Sequence, residues 1–313
     1  MSILLDGGNR VLVQGITGHM GRFFVGDAVR YGTTVVAGVS PGRGGGVVDG
    51  VSVFNSVAIA CRETAADTAI IFVPPAAVLG AVLEAVDAGC RLVVATADEV
   101  PVRDAIEIRA AAQANGARFI GPNTPGLISP GKAKLGFMPS FCYSPGPIGV
   151  ISRSGSLSYE CCERLTLEGL GQTTVIGIGG DVIKGTTAAE AVELFDADPE
   201  TTAILYLGEV GGSEEEAVVR YAARKEAKPV AALIVGRTAP PGQKMGHAGA
   251  LIGNSAEGHD AKIEALHHAG VFVANGLTDV VRQVAAALSA CPVKKAPKTG
   301  DELRSGGMHG VMQ

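Results

Sequence analysis

The sequence predicts an α/β protein of two doubly wound domains, and three observations lead there. Short runs rich in Val and Ile recur along the chain, separated by glycine turns and amphipathic stretches. Glycine is abundant (44 residues) and tryptophan absent, which favours strand–loop–helix repetition with close backbone approaches over a core of large aromatics. A chain of 313 residues, 47% of them hydrophobic, is also long enough for two domains that each bury a core.

The elements follow in order. RVLVQGI (10–16), TTVVAGV (33–39), TAIIFVPP (68–75), RLVVATA (91–97) and ARFIGPN (117–123) each read as a buried parallel strand, with helical patterns such as AAVLGAVLEAVDAG between them. They define a first doubly wound domain over residues 1–125. GPNTPGLISPGKAKLGFMPSFCYSPGP is dense in Gly and Pro, and residues 126–146 are expected to be a linker. PIGVISRSG (147–155), TTVIGIGG (173–180), TAILYLGEVGG (202–212), KPVAALIVG (228–236) and GVFVAN (270–275) form the second series, giving a domain over 147–290. The tail 291–313 has no apolar periodicity and is expected to be disordered.

Composition narrows the function classes. The net charge is −5 and no basic stripe occurs, so no nucleic-acid partner is expected. Six cysteines include no C-x-x-C, and adjacent Cys161 and Cys162 are poorly spaced for a bridge or shared metal. Free thiols of this kind suit a reducing compartment. MSILLDGGNRVLV is no signal peptide, and no apolar run is long enough for a membrane span. The expected setting is the cytoplasm, or the mitochondrial matrix for an imported and processed chain, with no membrane partner.

After the first strand, QGITGHMGRFFVGDAV places Gly15, Gly18 and Gly21 three residues apart. Such a turn lets the backbone approach a pyrophosphate at a helix N-terminus, although tight packing of strand on helix selects glycine too. The spacing is G-x-x-G-x-x-G, not the dinucleotide G-x-G-x-x-G. The second strand ends VVAGVSPGRGGG, with Arg43 near where an NAD site would carry an acid. A cation there suits a phosphorylated ribose, as in NADP or coenzyme A; the alternative is an exposed loop charge.

In the second series, Ser154, Gly155 and Ser156 lie where a strand meets a helix, as a plain N-cap or as a mouth for an anion. The stretch is not the G-x-S-x-G nucleophile elbow. Glu209 closes the third strand of this series, on the edge where open α/β sheets bind ligands. His247 sits in GQKMGHAGAL, about ten residues beyond the fourth strand, flanked by small residues that allow movement. A loop histidine is commonly just solvated; here the ligand edge, the helix mouth and the phosphate-binding turn upstream favour group transfer. No H-E-x-x-H or comparable ligand set occurs, so no metal site is expected.

QGITGHMG, VSPGRGG, GPNTPGLISPG, VISRSGSLSYE, GIGGD, GEVGGSEEE and KMGHAGA occur in this order. Through them, nearly the whole chain up to residue 290 resembles the α subunits of succinyl-CoA synthetase, the ADP- or GDP-forming succinate–CoA ligase. The resemblance implies an N-terminal Rossmann-like CoA-binding domain followed by a flavodoxin-like domain. It implies a phosphohistidine at His247 with Glu209 against it, and CoA contacts at Thr17, Gly18, His19, Met20, Arg43, Ala95, Thr96 and Ala97. Ser154, Gly155 and Ser156 would face phosphate, and Tyr159 the substrate side. ATP or GTP with Mg²⁺ would lie on an ATP-grasp β subunit, in an αβ or α₂β₂ assembly, consistent with the absence of G-x-x-x-x-G-K-[ST] here. The resemblance further implies CoA thiol attack on an acyl phosphate of the dicarboxylate substrate and a phosphohistidine that swings across to the nucleotide, the order of steps reversing with direction. Malate–CoA ligase and citryl-CoA synthetase small subunits share these motifs. A non-catalytic CoA-sensing module would keep QGITG without needing KMGHAGA, and an NADP oxidoreductase is disfavoured by the glycine spacing.

Overall fold

The computed structural model describes residues 2–290; the tail expected at 291–313 lies outside the described residues. The first unit contains β1 (Val11–Gln14), α1 (His19–Tyr31), β2 (Val35–Val39), β3 (Val47–Val48), β4 (Val51–Phe54) and α2 (Val57–Thr64). It continues with β5 (Thr68–Ile71), α3 (Val78–Asp87), β6 (Leu92–Ala95), α4 (Val102–Ala114) and β7 (Arg118–Ile120). β1, β5 and β6 are buried at every position, which is why they read as unbroken apolar runs. The sheet order is β3-β4-β2-β1-β5-β6-β7, parallel except for β3 against β4. Counting parallel strands only, this is the doubly wound 3-2-1-4-5-6 order, with its reversal between β1 and β5. The β3–β4 hairpin was not anticipated, although Asp49–Gly50, with φ of 46° and 83°, is a known two-residue hairpin signal.

The next residues differ from expectation. Residues 126–146 are not a free linker: β8 (Gly126–Ser129) and β9 (Ala133–Gly136) form a hairpin on the edge of the second sheet. Each strand has four residues, too short to show a period, and their buried Leu127, Ile128 and Leu135 are masked in the sequence by Gly and Pro. β10 (Pro145–Ser152), α5 (Gly155–Leu167), β11 (Gln172–Gly177), α6 (Ala188–Ala197), β12 (Ala203–Glu209), α7 (Glu214–Ala222), β13 (Val230–Val235), α8 (His259–His268), β14 (Phe272–Ala274) and α9 (Val280–Ala290) follow. The second sheet runs β14-β13-β12-β10-β11-β8-β9. Its parallel part has the flavodoxin-like order, reversing between β10 and β12.

The two units share a core. One apolar cluster joins Val13 and Phe24 of the first unit to Leu127, Ile151 and Ile176 of the second. Phe72 lies between Phe24 and Phe137, with centroids 5.2 Å from each. Lys134 of β9, fully buried, pairs with Asp27 of α1 and donates to the Met138 carbonyl at 2.8 Å. No helix among the described residues is long and apolar enough to cross a membrane.

Candidate active site

The reversal of the second sheet separates the ends of β10 and β12, and side chains from both converge there. Glu209, the last residue of β12, is buried and turns its carboxylate to the His247 ring. Its two oxygens lie 3.0 and 2.9 Å from Nδ1 of His247. Nε2 makes no hydrogen bond among the described residues. The imidazole lies against Gly180: a Cβ built there would stand 2.3 Å from the ring's Cγ. The His247 loop is tied down beside it, with the Gly249 N–H donating to the Gly180 carbonyl at 2.9 Å. The hydrogen bond to Glu209 raises the His247 pKa above that of a free histidine; burial and the Arg153 charge oppose it, and the Asp98 charge assists.

Arg153, directly after β10, reaches the same point. Its Nη2 lies 3.1 Å from Oε1 of Glu209 and donates to the Gly249 carbonyl at 3.0 Å. Its Nη1 donates to the carbonyls of Gly211 at 2.8 Å and Glu209 at 3.2 Å. Beneath lies a second buried cation, Lys262 of α8, donating to the same two carbonyls and to the Glu215 carboxylate. The Tyr206 hydroxyl donates to that carboxylate from the other side, at 2.9 Å.

α5 opens at the same reversal. Ser154 caps it, its Oγ accepting from the Leu157 N–H at 3.4 Å, and no acidic residue occupies the first turn. The positive end of the helix is therefore uncompensated around Ser154, Gly155 and Ser156. The Tyr159 hydroxyl stands over Gly155, and burial pushes its pKa up to about 12, so the phenol stays neutral near pH 7.

The glycine turn after β1 lies at the other reversal, between β1 and β5. Gly15 has φ of 77°, and a Cβ there would meet the Phe72 carbonyl at 2.4 Å, so the turn requires glycine. Gly18 precedes α1 without a side-chain cap, His19 and Met20 open the helix exposed, and its first turn holds no acid. Thr17 Oγ1 meets Ser40 Oγ at 3.0 Å, linking this turn to the end of β2. Arg43 is exposed beyond β2 and has no ion-pair partner among the described residues. Arg22, overlooked in the sequence because it sits inside a helical pattern, donates to the Thr17 carbonyl at 3.2 Å. Helix N–H groups, Arg22 against the turn and a first turn without acid suit a polyphosphate such as that of CoA.

Ala95 ends β6 with Thr96 and Ala97 directly after it, and one residue connects this edge to the histidine loop. The Asn123 N–H donates to the Ala97 carbonyl at 2.8 Å, its carbonyl accepts from Gly180 N–H at 3.2 Å, and its side chain donates to Asp181 at 3.0 Å. Burial raises the Asp181 pKa, partly offset by that bond. The structure thus brings His247, Glu209 and the Ser154 mouth together through Arg153, and joins Ala97 to them through Asn123. Thr17 and Arg43 make no bond to this group. Sequence reasoning missed Arg153, Lys262 and Glu215, because nothing in the local sequence separates a buried charge from one reaching solvent.

Two families match the chain: a CoA binding domain over residues 7–98 and a CoA-ligase family over residues 151–272. Succinate–CoA ligase [ADP-forming] subunit alpha of Aquifex aeolicus is 45% identical, covering 96% of this chain and 99% of that protein. Succinate–CoA ligase [ADP-forming] subunit alpha 1 of Archaeoglobus fulgidus is 47% identical, covering 91% of this chain and 97% of the relative. Among solved structures, the ATP citrate lyase of Methanothrix soehngenii in complex with citrate and coenzyme A superposes with a TM-score of 0.83 at 22% identity. That match covers 92% of this chain and 50% of the lyase chain, and it speaks to the fold alone.

Proposed function

The chain belongs to the succinate–CoA ligase alpha-subunit family, and from that premise we propose that it is the CoA-binding, phosphoryl-carrying subunit of an ADP-forming succinate–CoA ligase. The observation that carries the reading is the Glu209 carboxylate on Nδ1 of His247. It fixes the proton on Nδ1, leaves the Nε2 lone pair as nucleophile and offsets the positive charge the ring gains on phosphorylation. A CoA-sensing module without chemistry has no need of this pair.

In the acyl-CoA-forming direction, Nε2 takes the γ-phosphoryl group and the nucleoside diphosphate leaves. A substrate carboxylate oxygen then attacks phosphorus, the P–N bond breaks, and the acyl phosphate forms. CoA thiol displaces phosphate from it. The first unit would hold CoA through the Thr17–Met20 turn, Arg43 and the Ala95–Ala97 edge. The α5 mouth at Ser154–Ser156 would stabilise the phosphoryl oxygens, with Tyr159 on the substrate side. The nucleotide and its Mg²⁺ belong to an ATP-grasp β subunit, towards which the His247 loop moves.

The test uses the chain with its partner and γ-labelled ATP. A phosphoramidate is lost in acid and survives base, so wild type should take up acid-labile label. His247→Asn should take up none while binding CoA normally, because the loop lies in the other unit. Acid-labile label at the wild-type level in His247→Asn would falsify the mechanism.

A further inference from the structure

Arg153 is the largest fully buried side chain described, and its cost in desolvation is high. A packed apolar residue would close the end of β10 without that cost, so the guanidinium must do something only its fork allows. We propose that Arg153 is the positioning residue for phosphoryl transfer: it locks the Glu209 carboxylate and the His247 loop into one register, which presents Nε2 outward. The proposal rests on reading His247 as the phosphoryl carrier.

Two features separate this role from general support. The backbone turn at Glu209 and Gly211 is held twice, since Lys262 donates to both carbonyls that Arg153 also binds. The Glu209 side chain and the Gly249 carbonyl, by contrast, meet no lysine or arginine other than Arg153 at bonding distance among the described residues. Both Glu209 oxygens are nearly equidistant from Nδ1, so the imidazole alone does not set the carboxylate's orientation. Nη2 on Oε1 sets it. The same nitrogen binds Gly249, two residues past the histidine, so carboxylate and loop share one donor.

The charges facing His247 come from four elements: Glu209 at the end of β12, Arg153 after β10, Asp181 after β11 and Asp98 after β6. Arg153 is the sole cation of the four and opposes protonation of the ring. This gives the role a signature that loss of packing does not imitate. In the full chain, the His247 ring is titrated by NMR, with His247→Asn assigning its signal, and label uptake is measured with the partner. Arg153→Lys keeps the charge and loses the fork: the titration midpoint should stay near wild type while uptake falls about tenfold to a hundredfold. Arg153→Met should move the midpoint upward and lower uptake further. Wild-type uptake in a CoA-binding Arg153→Lys chain, or an unmoved midpoint in a CoA-binding Arg153→Met chain, overturns the proposal. Should Arg153→Met fail to fold, the lysine variant decides alone. No label in wild type would sink the carrier reading instead, and the titration would still judge Arg153.

Discussion

The protonation of one imidazole governs the proposed chemistry. Glu209 raises the His247 pKa, so the ring stays protonated to a higher pH than a free histidine, whose pKa is about 6.5. Protonated imidazole has no lone pair on Nε2. Label uptake should therefore be suppressed at acid pH and rise as pH passes the raised pKa. Glu209→Gln removes the main cause of the shift, so the acid limb should move to lower pH, while the plateau falls about tenfold to a hundredfold without reaching zero. A limb that stays put, or moves up, would count against this assignment. The same pair affects folding with a definite sign: its stabilisation is complete below the unfolded histidine pKa and fades as pH rises through the folded one. The pairing of these residues was half legible in the sequence. Glu209 and His247 were both expected at the ligand edge, one as a strand-terminal acid and one in a small-residue loop. Arg153 was not, because nothing in ISRSG tells a buried guanidinium from one reaching solvent.

Elements supply the rigidity against which the loop docks. β11 delivers Gly180 three residues beyond its end, and the His247 ring fills the space a side chain would take. Gly180→Ala places a methyl group within the ring's volume, so the imidazole must shift. We expect label uptake to drop about tenfold to a hundredfold with CoA affinity unchanged. Normal uptake in that variant would show that the docked position seen here is not the reactive one. The strands that carry the site were readable because parallel strands buried on both faces are continuous Val/Ile runs. β8 and β9 were unreadable for the opposite reason. Their four-residue strands lie among glycines and prolines, and only the pairing of β8 with β11, and of β9 with β8, reveals them as sheet.

The molecule as a whole is less divided than its two motif series suggest. The apolar cluster crosses from Val13 and Phe24 to Leu127 and Ile176, and Lys134 of β9 is buried against α1. Thr33 and Lys134 add a reciprocal pair of hydrogen bonds across the same seam, at 3.0 and 2.9 Å. Separate unfolding of either unit would expose that cluster and strand the Lys134 charge. Heat should thus unfold the chain in one calorimetric transition whose van't Hoff and calorimetric enthalpies agree. Two resolved transitions would show that the seam is weak. CoA, though expected to touch the first unit, should raise the single Tm of both.

Amino-acid order alone dictated the α/β class, the alternation of strands and helices, and the edge on which the candidate site residues gather. These depend on local periodicity and on glycine at turns such as Gly15, which are properties of neighbours in the chain. Tertiary structure alone decided which strands lie at each reversal, that residues 126–146 belong to the second sheet, and that Arg153 meets Glu209 and Gly249. Asn123, between Ala97 and Gly180, belongs with these. Such contacts join residues from separate elements, and a buried ion pair or a shared donor leaves no period in the sequence. The partners that make a charge tolerable in the interior are known only when the strands have been placed side by side.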